Sequence, residues 1–221
     1  MSTKKLFWDD PYQTKCTAIV TNINAHKVKL NQTIFYAFSG GQGSDEGTID
    51  GIKVIEAKKE GDKEKIIDIE YILERQPHFK VGDQVEVIID SERRRKLRNL
   101  HSAAHILYYL VIEMLGPITI VGSNISPDKA RMDFLYDQAL NEKIASIEQK
   151  VNHFIQEDHI ITMKNDKEKK DLRLWTCENW KMPCGGTHVK STKEICSIRL
   201  KRVNIGKGKE RIEIYLENQK N

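Results

Sequence analysis

The chain has 221 residues, of which 39% are hydrophobic and 31% charged, a composition that excludes a disordered or fibrous protein and allows one large core or two smaller ones. Its net charge of +4 is too small to establish a nucleic-acid partner, although basic residues cluster in "RRRKLR" and "KRVNIGKGKER". No apolar run approaches the ~18 residues that span a bilayer, so we expect no membrane association and a cytoplasmic location.

Short alternating stretches fill residues 12 to 90. Cys16–Val20 and Val85–Ile89 are examples, and turn residues such as Gly40-Gly41 and Gly82-Asp83 separate the stretches. An apolar residue at every second position is typical of half-buried strands, and several short strands with regular turns indicate a closed sheet. We predict a small β-barrel domain over residues 1–90.

A helical pattern begins at Asp90. Asp90 or Ser91 can cap a helix there, and Gly116-Pro117 can end it about two dozen residues later. A second amphipathic helix is predicted from Gln138 to Asp158, because apolar residues recur there at three- and four-residue steps. The second domain is therefore expected to cover residues 91–221.

The remainder of the second domain is predicted to be extended or irregular. It contains a strand candidate at Ile160–Met163, a loop rich in Trp, Cys and Gly from Trp175 to Thr192, and a closing hairpin. The hairpin strands are Ile195–Val203 and Arg211–Leu216, around Gly206-Lys207-Gly208. Helices packed on an antiparallel sheet make this domain α+β.

Two pairs of metal-binding residue types stand far apart in the sequence. His101 and His105 share one helix face, and Cys184 and His188 bracket a glycine-rich turn that can bring both side chains to one ion. Nitrogen and sulfur ligands favour zinc over hard cations. We predict one zinc ion per chain on these four residues and free thiols for the other three cysteines. Four protein ligands usually make a closed structural site, whereas a catalytic zinc keeps one position open. The sequence leaves three roles for the ion open: catalytic, substrate-anchoring and structural.

Four stretches carry a family resemblance: "FYAFSGGQGSDEGTI", "VGDQVEVIIDSERRRKLRNLHSAAHIL", "CGGTHV" and "GKGKERIEI". In this order they resemble the free-standing alanyl-tRNA editing proteins of the AlaX type, from about Phe35 to Leu216. The resemblance implies a barrel like the second domain of an elongation factor, followed by a zinc-binding α+β editing domain. It also implies hydrolysis of the ester that joins a wrong amino acid, serine or glycine, to alanine tRNA.

The resemblance suggests which residues meet that substrate, although it identifies no catalytic residue and no nucleotide cofactor. The residues predicted to contact the tRNA are Gly40, Gly41, Gln42, Arg93, Arg94, Arg95 and Lys96. The residues predicted to line the amino-acid pocket are Ser102, Ala104, Ile120 and Thr187. Ala104 and Ile120 stand near positions that are polar in synthetase editing domains, so the choice between serine and glycine stays open.

Three other functions remain possible at this point. The chain is compatible with a non-catalytic tRNA-binding module that holds a closed structural zinc. Threonyl-tRNA synthetase editing domains share both metal pairs, which makes a threonyl-type editing hydrolase the second alternative, although the Gly-Gly-Thr turn and the barrel favour the alanine branch. A zinc hydrolase of a small ester or amide is the third.

Overall fold

A computed structural model describes residues 2–61, 66–166, 172–206 and 208–217 of the chain. The chain forms two compact units. The first runs as far as Arg95 and includes the segments Asn165–Arg173 and Gly185–Thr187, and the second contains Lys96–Lys164, Leu174–Cys184 and the residues from His188 onward. The sequence prediction has one domain boundary near residue 90, whereas the first unit also includes two short segments from later in the chain.

The first unit is built around an antiparallel barrel. Its strands are β1 Lys4–Lys5, β2 Lys15–Asn24, β3 Lys27–Leu30, β4 Gln32–Thr33, β5 Gly47–Ile49, β6 Ile52–Gly61, β7 Ile66–Leu73 and β8 Gln84–Ile89. Six of them close in the order β2-β3-β7-β6-β5-β8, while β1 and β4 form a separate parallel pair. Inward positions such as Val28, Ile49 and Val87 are fully buried, as the alternating pattern predicts. The likeness to an elongation-factor domain stays a prediction.

The second unit combines two helices with two sheets, so the predicted α+β class is confirmed. Its elements are α1 Ser91–Leu115, β9 Thr119–Ile125, β10 Ala130–Leu135, α2 Ile144–Gln156, β11 Ile161–Asn165, β12 Arg173–Cys177, β13 Trp180–Pro183, β14 Ile198–Asn204 and β15 Lys209–Leu216. The first turn of α1 and the end residues Asn165 of β11 and Arg173 of β12 belong to the first unit. One sheet has the order β14-β15-β10-β9 and the other β11-β12-β13.

Helix α2 protects the edge of the four-stranded sheet. Strand β14 is an edge strand, and an edge leaves backbone groups unpaired unless something covers them. The Asn152 side chain donates to the carbonyl of Ile198 at 2.8 Å and accepts from its N–H at 2.8 Å, and Glu148 accepts from the N–H of Leu200 at 2.6 Å. The polar face of the helix therefore substitutes for a missing neighbouring strand.

The two helices follow the sequence prediction to different degrees. The first is confirmed, since α1 ends one residue before Gly116. The second begins at Ile144 rather than Gln138, because the carbonyl of Leu140 accepts from the N–H groups of Lys143 and Ile144 in a turn. Leu140 is nevertheless fully buried, so it contributes an apolar signal without being helical.

Four strands differ from the sequence prediction. The predicted loop from Trp175 to Thr192 is wrong in its first part, where β12 and β13 pair with Cys177 opposite Trp180. Glu178 takes a φ of 49° in the turn between them, a conformation that the sequence did not signal because it is uncommon outside glycine and asparagine. Strands β9 and β10 were not predicted, and Lys207 of the predicted hairpin turn lies outside the described residues.

None of the helices in the described residues has both the length and the apolar composition needed to cross a bilayer.

Candidate functional site

The four predicted metal ligands lie together in the second unit. The candidate ligand atoms of His101, His105, Cys184 and His188 are all within 4.8 Å of one another. Helix α1 supplies the first two rings, whose centroids are 4.8 Å apart, and the ring of His188 lies 4.2 Å from that of His101 and 4.5 Å from that of His105. The three imidazoles are buried and Cys184 is partly exposed.

The distance between Cys184 and His101 fits a tetrahedral ion, and that between Cys184 and His188 is 0.4 Å shorter. Zinc bonds of about 2.05 Å to nitrogen and about 2.3 Å to sulfur place a tetrahedral nitrogen–sulfur pair about 3.6 Å apart. The Sγ of Cys184 lies 3.6 Å from Nε2 of His101 and 3.2 Å from Nε2 of His188. The donor set is three imidazole nitrogens and one sulfur. These are ligand types that zinc prefers, whereas hard cations prefer oxygen. The residues therefore fit a zinc ion.

Burial keeps the helix histidines in their ligating form. Removal from water lowers the pKa of His101 to about 4. Burial also lowers the pKa of His105 well below its usual range, and the neighbouring His101 adds to that effect. Both rings are consequently neutral near pH 7, and a neutral imidazole is the form that binds a metal.

Ser102 sets the orientation of His188. Its hydroxyl donates to the carbonyl of Arg98 at 3.0 Å and accepts from the N–H of Val189 at 3.1 Å. The Nδ1 atom of His188 is 3.2 Å from the same hydroxyl, whose proton is already used, so this nitrogen is the donor. The proton of His188 is therefore held at Nδ1, and the lone pair of Nε2 points toward Cys184.

His105 offers an independent test of the fit. Its Nδ1 atom is buried and has no hydrogen-bond partner among the described residues, which costs about 1–3 kcal/mol unless the ring is compensated. The ring packs edge-on against Trp175 at 4.8 Å, and Trp175 is itself fully buried. An ion coordinated by Nδ1 would satisfy this atom directly.

The other cysteines stay outside the cluster. No disulfide joins the four cysteines, all of which lie in the described ranges, and this matches the expected free thiols. Cys177 is buried, and the resulting desolvation, with a smaller contribution from Glu178, raises its pKa to about 12. Its thiol therefore remains protonated near neutral pH and is a poor competitor for the ion.

The predicted glycine turn is present in the first unit. Gly40 and Gly41 have φ angles of 58° and 85°, and the N–H and carbonyl groups of Ser39 and Gln42 pair across them. Positive φ at both central residues is the type I′ geometry that joins two antiparallel strands, and glycine adopts it without strain. The turn is at least partly exposed, as a tRNA contact requires.

Gln42 is placed differently from its prediction as a tRNA contact. Its side chain is fully buried, where it donates to the hydroxyl of Thr187 at 3.0 Å and accepts from the N–H of the same residue at 2.9 Å. Thr187 belongs to the same unit and immediately precedes His188 in the sequence. The side chain of Gln42 is therefore committed to holding this segment, and its contact with tRNA stays an untested prediction.

The basic run divides into one buried and three accessible residues. Arg94 is fully buried and forms a bidentate ion pair with Asp45, so its assignment as a phosphate contact is corrected to a structural role. Arg95 is exposed, while Arg93 and Lys96 are partly exposed. Arg93 also pairs with Glu46 at 3.0 Å. These three remain predicted contacts.

The predicted pocket residues are similarly divided. Ser102 uses all three of its hydrogen-bonding capacities inside the protein, so it positions His188 and has none left for a substrate hydroxyl. Ala104 is 3% exposed within the core, and Ile120 is partly exposed on β9. Thr187 is buried against Gln42. Their contact with a substrate amino acid stays a prediction.

Sequence reasoning missed Trp8. Its indole N–H donates to the carbonyl of Gly185 at 2.9 Å, and its own carbonyl accepts from Nη2 of Arg173 at 2.9 Å, all within the first unit. Partners separated by more than 160 residues leave no local pattern, so no sequence signal identifies this contact.

Comparison with known proteins gives a consistent assignment. Residues 172–213 match the family model described as the threonyl and alanyl tRNA synthetase second additional domain. The chain is 34% identical to the alanine–tRNA ligase of Campylobacter jejuni and 30% identical to that of Sulfurisphaera tokodaii, and it spans about a quarter of the length of these ligases.

A relative that the chain matches over nearly its full length favours the alanyl over the threonyl editing proteins. The chain is 36% identical to the alanyl-tRNA editing protein AlaX-M of Pyrococcus horikoshii, over 97% of this chain and 98% of the relative. This identity extends through the barrel as well as the part of the chain that carries the metal ligands. The chain therefore belongs to the AlaX family of alanyl-tRNA editing proteins.

Proposed function

We propose that this chain is an aminoacyl-tRNA hydrolase that removes a wrong amino acid, serine or glycine, from alanine tRNA. The observation that carries the proposal is the cluster of three imidazoles and one sulfur, whose ligand atoms all lie within 4.8 Å of one another, in a chain that matches an alanyl-tRNA editing protein over 97% of its length. Alanine–tRNA ligases are further relatives, which supports the same amino-acid and tRNA identity.

The proposed cofactor is one zinc ion per chain, held by His101, His105, Cys184 and His188. When bound, zinc supplies a Lewis acid that either activates water or anchors the amine of the amino acid. The remaining requirements fall on the protein, since the ester of an aminoacyl-tRNA is already activated and needs mainly positioned water and a stabilised oxyanion. We favour substrate anchoring combined with water positioning by the protein.

The chain's own residues keep the site ready for that chemistry. Ser102 holds the proton of His188 at Nδ1, which leaves Nε2 free to coordinate. Burial keeps His101 and His105 uncharged. Because the imidazole ligands are already neutral and oriented, little of the free energy of metal binding is lost to rearrangement.

Discrimination against serine needs a polar partner, because an apolar wall cannot reward a hydroxyl. Ser102 is fully hydrogen-bonded, which leaves Thr187 or the zinc ion as the proposed partner. Glycine needs no such partner, since it only has to fit a pocket bounded by residues such as Ala104 and Ile120. Serine and glycine are accordingly both proposed as substrates.

The proposed macromolecular partner is the acceptor end of alanine tRNA. Arg93, Arg95 and Lys96 offer accessible positive charge at the start of α1, and the exposed Gly40-Gly41 turn lets a backbone approach closely. Charge reversal at Arg95, which is exposed and pairs with Glu92 on the same helix, tests this contact at the protein surface. We expect weaker tRNA binding and a shallower salt dependence, whereas an unchanged salt slope would assign Arg95 to a solvated surface.

The function is tested by deacylation of alanine tRNA charged separately with serine and glycine. Zinc-loaded protein is expected to release both amino acids far above the spontaneous rate, and replacing both His101 and His105 with alanine should remove the metal and the activity together. Metal content is measured on the same preparations. Full zinc retention in the double variant would contradict the ligand assignment.

The same assay separates the alternatives. A non-catalytic module would bind the charged tRNAs and leave every ester intact. A threonyl-type hydrolase would release an amino acid preferentially from threonine tRNA. A hydrolase of small esters would show a rate that does not respond to salt, because no polyanionic substrate is involved.

A further inference from the structure

A cleft in the first unit is not used by any contact described so far for the proposed reaction. It has a volume of about 240 Å³ and is lined by Thr3, Lys4, Lys5, Trp8, Asp9, Asn165 and Arg173. All seven residues belong to the first unit, so the cleft lies within one compact body. It is separate in sequence from every predicted metal, pocket and tRNA residue.

The charge of the cleft is predominantly positive. Three cationic side chains line it, from Lys4, Lys5 and Arg173, against one carboxylate among the described lining residues, that of Asp9. Lys4 and Asp9 are 3.5 Å apart at the rim, with side chains 65% and 64% exposed. An ion pair this exposed is worth little, so Lys4 can leave Asp9 for a better anion at small cost.

An aromatic ring stands among these cations. The Nζ of Lys5 and the Cζ of Arg173 each lie 5.5 Å from the centre of the Trp8 ring. The bond from the indole N–H to Gly185 fixes the ring, and the bond from Arg173 to the carbonyl of Trp8 fixes the guanidinium beside it. The Arg173 guanidinium and the ring are therefore held in place before any ligand arrives.

We propose that the Trp8 cleft binds a phosphodiester of single-stranded RNA, namely the unpaired 3′ end of the tRNA substrate. A concave surface with cationic side chains and a fixed aromatic ring is what proteins present to single-stranded nucleic acid. The tRNA identity of the ligand rests on the proposed function. The phosphate chemistry rests on the cleft alone.

The test is fluorescence anisotropy of a labelled, uncharged acceptor minihelix with its single-stranded 3′ end, measured across a salt series. Lys4→Gln should weaken binding about fivefold and lower the salt slope by about 0.7, the contribution of one single-strand phosphate. Asp9→Asn should strengthen binding by about twofold or more, because it removes the carboxylate that repels the phosphate. Both variants break the same Lys4–Asp9 pair, so loss of that pair cannot explain opposite effects.

Lys15→Gln is the matched control. Lys15 lies in the same unit, its side chain is 63% exposed and it pairs with the carboxylate of Glu86, so it resembles Lys4 in exposure and pairing but does not line the cleft. It should bind the minihelix like the wild type. Equal affinities and salt slopes for the wild type and the Lys4→Gln and Asp9→Asn variants would overturn the inference.

Two further arms distinguish the ligand. A blunt minihelix that lacks the 3′ overhang should bind equally to the wild type and Lys4→Gln, and a fivefold difference there would overturn the single-strand assignment. Inorganic phosphate at constant ionic strength should displace the overhang only weakly. If Lys4→Gln instead weakens a tight binding of phosphate and leaves the RNA affinity unchanged, the cleft is a small-anion site and the inference is overturned. Because the RNA is uncharged, these results do not depend on deacylation, and a protein that binds through the cleft but hydrolyses nothing would refute only the proposed function.

Discussion

Removal of the Arg94 guanidinium is expected to destabilise the first unit severely. Its Nε atom donates to Asp45 at 2.9 Å, and Nη2 donates to the second carboxylate oxygen of Asp45 and, at 2.6 Å, to the carbonyl of Ile34. Nη1 donates to the carbonyl of Pro11 at 3.1 Å. Both charged side chains are completely buried, so water cannot replace these bonds.

The magnitude follows from what Arg94→Met leaves behind. The buried carboxylate of Asp45 loses its ion-pair partner, which costs about 3–5 kcal/mol although the N–H of Tyr36 still donates to it, and each of the two carbonyls that loses its donor adds about 1 kcal/mol. The total of about 5 kcal/mol or more is comparable with the whole stability of many domains. The double variant Arg94→Met with Asp45→Asn should recover part of the loss, because the neutral amide no longer leaves a charge in the core.

Urea unfolding followed by circular dichroism measures this prediction, with Arg95→Met as the control. Arg95 is the next residue, and its exposed pair with Glu92 should contribute less than about 1 kcal/mol. The reasoning is refuted if Arg94→Met is as stable as Arg95→Met. A stable Arg94→Met protein with a reduced tRNA salt slope would restore the original assignment of Arg94 as a phosphate contact.

Three further predictions follow from individual contacts. Ser102→Ala should lower zinc affinity about 10- to 100-fold in a chelator competition, because His188 loses the partner that fixes its tautomer, whereas Ser146→Ala on the exposed face of α2 should not. Gln42→Leu should reduce the free energy of unfolding by about 1–3 kcal/mol, and an unchanged midpoint would show that its buried bonds are dispensable. Burial opposes protonation of His159, but its hydrogen bonds to two glutamates outweigh this effect and raise its pKa. The His159→Gln variant should therefore lose more stability at pH about 5.5 than at pH about 8.5. A difference in unfolding free energy between wild type and variant that grows with pH contradicts this sign.

The metal cluster could be predicted from the sequence because each half of it is local. His101 and His105 are four residues apart on a helix whose ends are marked by Ser91 and Gly116, and a glycine-rich turn joins the other pair. Each half fixes its own geometry, so only the meeting of two preformed pairs had to be inferred. The barrel was predictable for a similar reason, since alternation along each strand already separates its two faces.

The roles of Arg94 and Trp8 could not be predicted in this way. Arg94 stands in a run of basic residues that reads as exposed, and its partner Asp45 is 49 positions away. The contact between Trp8 and Gly185 joins residues 177 positions apart. The burial of a charged side chain and the partner of an indole N–H both depend on which distant segment packs beside them. The periodicity of the sequence carries no information about such long-range packing. The late start of α2 has another cause, because Leu140 is buried from a turn and imitates a helical position.

The central claim is tested most directly by the ratio of two initial rates. Zinc-loaded wild-type protein is mixed with alanine tRNA charged with serine, and in parallel with the same tRNA charged with alanine, and amino-acid release is compared with the spontaneous rate. A single hydrogen bond to the serine hydroxyl, worth about 1–1.5 kcal/mol, predicts release of serine about tenfold faster than alanine. Release of serine at the spontaneous rate by protein that binds the tRNA and carries one zinc ion would contradict the account.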